Sequence, residues 1–182
     1  MLVYTDLITG DEMMSDSYPR EPVLDAEGEE IEGMFQVASR MVVVGGDDVD
    51  IGCGNAFGGE SEDAKVDDSV EKENNIISEA RGFGYTEMPF NAKSELKTYL
   101  KEYFRRVRSE LKSQGKPQEE IKAFMGTANG IARYLVANFS DLEFYTGRSM
   151  NPEGSIAFAM YHGENATPHF MYIEGGLRQD KF

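Results

Sequence analysis

The stretch Asn91-Ala-Lys-Ser-Glu-Leu-Lys-Thr-Tyr-Leu-Lys-Glu-Tyr-Phe-Arg-Arg-Val-Arg-Ser-Glu-Leu111 decides the fold class. Leu96, Leu100, Tyr103, Val107 and Leu111 recur at spacings of four, three, four and four, the period of a helix with one buried stripe. Lys97, Lys101, Arg105, Arg108 and Lys112 run along the flank of that stripe, facing water, so the helix is amphipathic and basic. Gly115-Lys-Pro117 ends it. Pro117-Gln-Glu-Glu120 opens a second helix, with proline tolerated in the first turn and acids beside the positive end of the dipole. The second arm places Ile121, Phe124, Met125, Ala128, Ala132, Leu135 and Val136 on one face. Gly126 and Gly130 each cost about 1 kcal/mol of helix propensity, which predicts close packing between the arms. Residues 91–138 therefore read as a helical hairpin.

Outward from the hairpin the period falls to that of strands. Leu2-Val-Tyr4, Ile31 to Arg40 and the run Met41-Val-Val-Val44 precede it, the last with the apolar continuity of a buried strand. Ile76 to Tyr85 is a further candidate strand. Leu142 to Thr146, Ser155 to Tyr161 and His169 to Ile173 follow, separated by Asn151-Pro-Glu-Gly154 and by Gly163 to Pro168. Neither β-rich end is large enough to hold a core alone, so residues 1–182 are expected to form one α+β domain of short, mostly antiparallel strands with the hairpin inserted. Residues 45–73 carry ten acids against Lys65 and Lys72, interspersed with glycine, and predict a mobile acidic loop.

Lysine and arginine number 18 against 33 acids, a formal net charge of -15, which opposes approach to a phosphate backbone and argues against nucleic acid as a partner. The opening residues lack the basic and apolar regions of a secretory signal, and no run reaches the ~20 apolar residues of a membrane span. A cytoplasmic, membrane-free monomer is expected, with non-classical secretion left open. Cys53 is the single cysteine, which excludes an internal disulfide and a thiolate zinc site.

Catalysis finds little support. His162 and His169 sit among strand and turn residues without a nucleophile motif, and the chain has no P-loop lysine motif, no G-x-S-x-G and no H-E-x-x-H, so no enzyme is expected. Asp47, Asp48 and Asp50 concentrate hard oxygen ligands suited to Ca2+. Counted from Asp48, however, Gly52 takes the fifth place of an EF-hand loop and Gly59 the place of its bidentate glutamate, so any site is weak and irregular. A merely solvated loop is the competing reading. The basic row on the first helix forms a local positive patch able to steer acidic protein segments.

The opening Leu2-Val-Tyr-Thr-Asp-Leu-Ile-Thr-Gly-Asp-Glu-Met-Met-Ser-Asp16 resembles the translationally controlled tumour protein family. So do Ile51-Gly-Cys-Gly-Asn-Ala56 and the run from Phe139 through Phe144-Tyr-Thr-Gly147 and Asn151-Pro-Glu-Gly154 to Tyr161. Phe57-Gly-Gly59 departs from the family's small serine-containing run, Arg148 stands where glutamate is usual, and the chain ends in Phe182 rather than cysteine. The resemblance implies a β-tent core with a projecting hairpin and a disordered acidic loop. It also implies a growth and survival regulator that binds calcium weakly, associates with tubulin and microtubules and other regulatory proteins, and contacts a small Ras-like GTPase. Of the positions tied to that contact, Glu12 matches; its competing role is a turn acid that steadies the edge of the tent. An alternative function is a calcium buffer or stress-protective chaperone working through the acidic loop.

Overall fold

The computed structural model describes residues 1–44 and 71–182. The described strands are β1 (Leu2–Asp6), β2 (Glu12–Ser15), β3 (Glu21–Leu24), β4 (Glu30–Ala38), β5 (Met41–Val43), β6 (Lys72–Asn74), β7 (Thr86–Glu87), β8 (Leu142–Thr146), β9 (Ile156–Met160), β10 (His169–Ile173) and β11 (Leu177–Lys181). All their pairings are antiparallel. They build a three-stranded sheet in the order β11-β1-β2, a six-stranded sheet β3-β4-β10-β9-β8-β7 and a two-stranded ribbon β5-β6. Because β1 pairs with β11 and β4 with β10, strands from the two ends of the chain share both larger sheets.

Side-chain alternation gives the six-stranded sheet two apolar faces. Phe170 and Tyr172 of β10, with Ala157 and Ala159 of β9, pack against Tyr4, Met13 and Met14 of the three-stranded sheet. Met171 and Ile173, with Ile156, Phe158 and Met160, face the helices instead. Strand β9 is thus buried along its whole length, which is why Ile156–Met160 is an unbroken apolar run rather than an alternating one.

The hairpin consists of α1 (Lys93–Ser113) and α2 (Gln118–Ala137). All five stripe residues of α1 are buried, joined by Tyr99 and Phe104. Its C-terminus closes with Gly115 at φ 71°: the Gly115 N–H donates to Lys112 O and the Lys116 N–H to Leu111 O, satisfying carbonyls the helix leaves open. The face of α2 is turned from the one expected. Ile121, Phe124 and Leu135 are buried as read, but Ile131 and Tyr134 join them, whereas Met125, Ala128, Ala132 and Val136 are only partly covered. Helix α2 serves both α1 and β4, and a single-period count cannot apportion a helix between two neighbours.

The expectation that Gly126 and Gly130 mark close packing is overturned. Both are exposed, and an added Cβ would meet nothing within 4 Å. The close approach lies on the strand side, where a Cβ on Gly33, at φ 88°, would come 2.9 Å from Thr127 Oγ1 of α2. Gly126→Ala and Gly130→Ala should each therefore stabilise the protein, by up to about 1 kcal/mol, or roughly 2–4 °C in Tm. Thermal unfolding checks this, and a lowered midpoint would contradict it.

Two strand expectations also change. Met41–Val43 forms an exposed ribbon with β6 rather than a buried strand, with Met41 47% exposed. Residues 75–85 form turns, not a strand. The Asn74 side chain accepts from the Ile76 N–H at 2.9 Å and the Ile77 N–H at 3.4 Å, an arrangement that competes with a ladder and folds Ile76 inward. The acidic loop read over 45–73, with Asp47, Asp48, Asp50 and Cys53, lies outside the described residues except at its end, where Lys72 and Glu73 belong to β6.

Candidate functional site

The β1–β2 connection is organised by two acids. Asp6, 2% exposed, accepts five hydrogen bonds. Three come from its own turn, the N–H groups of Ile8 (3.1 Å) and Thr9 (3.3 Å) and the Thr9 hydroxyl (2.7 Å). The other two come from the Ser155 N–H and hydroxyl, both at 2.9 Å, across the fold. Since the Ser155 proton is given to Asp6, the Tyr103 hydroxyl 2.7 Å away donates to Ser155 Oγ. Burial, and after it the nearby Asp6, raises the Tyr103 pKa and keeps that proton in place. Asp11 repeats the pattern, accepting the Ser149 N–H at 3.2 Å and the Ser149 hydroxyl at 2.5 Å.

Glu12 is the acid these bonds leave over. Tyr4 pairs with Met14 but Thr5 with Glu12, so Met13 is the extra residue of a bulge. The bulge lets Met13 and Met14 both turn into the core, while Glu12 stands exposed on β2, an edge strand. Its carboxylate has no hydrogen-bond or ion-pair partner among the described residues. Steadying the turn falls to Asp6 and Asp11, not to Glu12.

A second surface lies on the far side of the six-stranded sheet. Lys97, Lys101, Arg105, Arg108 and Lys112 are all exposed on α1, and none is paired with a described carboxylate. Arg106 points elsewhere, donating to Glu153 O at 3.1 Å and lying 3.8 Å from Glu102. Beside the first three cations runs a groove of about 330 Å³ between the helices, with Leu100, Phe104, Met125, Ala128 and Ala132 in its lining. Glu12 and the basic row are not brought together: the sheet bearing Glu12 covers one face of the six-stranded sheet and the hairpin the other.

The histidines meet at a strand end. Their rings are 4.6 Å apart, with His162 Nε2 3.2 Å from Gln36 Oε1 and His169 Nε2 3.4 Å from Glu21. Burial and then His169 lower the His162 pKa, against the pull of Glu21. Among the described residues no group of three or more His, Cys, Asp or Glu side chains could hold a metal ion. No described helix is long and apolar enough to cross a membrane.

The profile of the translationally controlled tumour protein family matches residues 1–178. The chain belongs to that family. Homologues from Neurospora crassa and Alternaria alternata are similar at 39% and 36% identity, each alignment covering 100% of this chain and 99% of the homologue. The structure of the family's protein from Schizosaccharomyces pombe is similar over 100% of both chains, with a TM-score of 0.71 at 31% identity. The translationally controlled tumour protein family is a growth-regulatory one, known as non-enzymatic.

The geometry ties the opening stretch of the chain to the segment after β8. Asp6 clasps Ser155 and Asp11 clasps Ser149, and a Cβ on Gly154 or Gly147 would collide with those same carboxylates. Arg148, the departure from glutamate, donates to Glu79 O at 3.2 Å and lies against Gly84, a contact that needs a donor. The clasp was overlooked in the sequence, although Asp6 three residues before Thr9-Gly10 is a turn signal.

Proposed function

We propose that this chain is a binding protein in growth regulation that presents two separate contact surfaces, Glu12 to a small Ras-like GTPase and the basic row of α1 to acidic segments such as those of tubulin. The observation that carries the first is the exposed Glu12 carboxylate, without a partner among the described residues, at the start of β2 beside a turn held by Asp6 and Asp11. A carboxylate displayed on a rigid edge loses little freedom on binding, and it can compete with phosphate for the magnesium ion and cationic side chains of a nucleotide pocket. Positive charges concentrated on one helix of a chain of net charge -15 support the second. Weak Ca2+ binding at Asp47, Asp48 and Asp50, and the buffer or chaperone alternative, rest on residues outside those described.

Glu12→Ala should weaken binding to a purified Ras-like GTPase at least about tenfold, the range for a charge-assisted contact. Because Glu12 holds no partner among the described residues, the melting temperature should not move. Calorimetric titration beside a thermal melt makes the measurement. Unchanged affinity would sink the assignment, and accelerated nucleotide release by the unmodified protein would separate exchange activity from binding.

A further inference from the structure

We propose that the groove between α1 and α2 is a docking site for an acidic amphipathic helix, which seats apolar side chains between the helices and sets a row of carboxylates against Lys97, Lys101 and Arg105. The inference rests on the reading of the hairpin as a partner surface and deepens it by naming the occupant. Spaced by four, these three cations form a row about 12 Å long, with one charge about every 6 Å. Like charges at that spacing destabilise a helix, and here no described carboxylate relieves them. Among the described residues the row is thus a cost that no intramolecular ion pair offsets. A partner helix with glutamates at intervals of four would match the row charge for charge.

Charge alone does not account for what lies next to the row. Phe104 and Leu100 are buried against the bottom of the groove, but Met125, Ala128 and Ala132 of α2 stay partly exposed. The two alanines leave space that larger side chains would fill. Met125, Ala128 and Ala132 follow one another by three and four along α2, so the gap runs lengthwise, as a helix lying in it requires. An unstructured acidic tail would use the cations and leave this apolar strip wet. A helix with leucines beside its glutamates would use both.

The probe is a synthetic helical peptide of about 15 residues, with glutamates at i, i+4 and i+8 and leucines along the adjacent face. Its control carries serine in place of each leucine. The full chain should bind the leucine peptide at least about tenfold more tightly than the control, the equivalent of one well-seated apolar side chain. The triple variant Lys97→Glu, Lys101→Glu, Arg105→Glu changes only exposed side chains and should lose at least tenfold in affinity for both peptides. In methyl NMR of the unaltered protein, saturable shifts at Met125, Ala128 and Ala132 would place the peptide without depending on any variant. Equal binding of the two peptides would overturn the groove while sparing the electrostatic reading of the hairpin. Binding of neither would overturn both, and self-association that covers Met125 and excludes the peptide would replace the proposed occupant by a second copy.

Discussion

Asp6→Ala is expected to destabilise the protein by about 3–5 kcal/mol, since several buried donors each lose an acceptor at about 1–3 kcal/mol, enough to lower Tm by roughly 10 °C although Asp6 lies in none of the proposed contact surfaces. Its carboxylate, 2% exposed, accepts the Thr9 hydroxyl at 2.7 Å and the Ser155 hydroxyl at 2.9 Å, the latter with only the long 3.5 Å contact to Gly176 O as an alternative. Alanine would remove the acceptor and leave donors from two distant segments facing one another in a space that water reaches poorly. The penalty for stranding such groups is larger than the net worth of the bonds. Asp6→Asn tests the same account more gently. It keeps the shape but replaces an acceptor oxygen by an NH2 group directed at donors, so it should also destabilise, though by less. Urea unfolding of both variants gives the comparison, and a loss under about 1 kcal/mol for Asp6→Ala would show that solvent or rearrangement replaces the carboxylate.

The ease with which α1 is read contrasts with the difficulty of Asp6. A helix that buries one stripe writes its period into the sequence, and Leu96 to Leu111 shows it without interruption. Strands buried on both faces, such as β9, are still recognisable as apolar runs, but their sheet and neighbours are not. Met41 to Val44 misled because apolar composition cannot distinguish an interior strand from an exposed ribbon. Gly126 and Gly130 misled for a related reason: a missing side chain is the same letter whether a neighbour occupies the space or nothing does. The partners of Asp6 and Asp11 across the fold, Ser155 and Ser149, are separated from them by 149 and 138 residues, and no local pattern reports a contact at such distance. Glu12 stood out only through resemblance, since an exposed acid is ordinary in a chain so rich in them.

Gly176→Ala should be comparably damaging, because a single methyl group there would land on the Tyr103 hydroxyl. Gly176 closes the short helical turn Glu174–Gly176 between β10 and β11, where the chain passes beneath α1. Tyr103 is fully buried and its ring stacks on Tyr99 at 5.5 Å between centroids. Its hydroxyl is bonded to Ser155, which is bonded to Asp6. Withdrawing the ring would thus break a chain of polar contacts as well as disturb packing, so overpacking of about 1–3 kcal/mol adds to the loss of a buried hydrogen bond of about 1–3 kcal/mol. Tyr103→Phe distinguishes these contributions. It deletes the atom with which the new methyl would collide, at the expense of the donor to Ser155. If the hydroxyl is the obstacle, the double variant Tyr103→Phe with Gly176→Ala will be less destabilised than the two single variants together by at least about 1 kcal/mol, as expected of residues in contact. Strict additivity in urea unfolding would mean that the turn moves instead, and that the seat of the hairpin is softer than Tyr103, Ser155 and Asp6 make it.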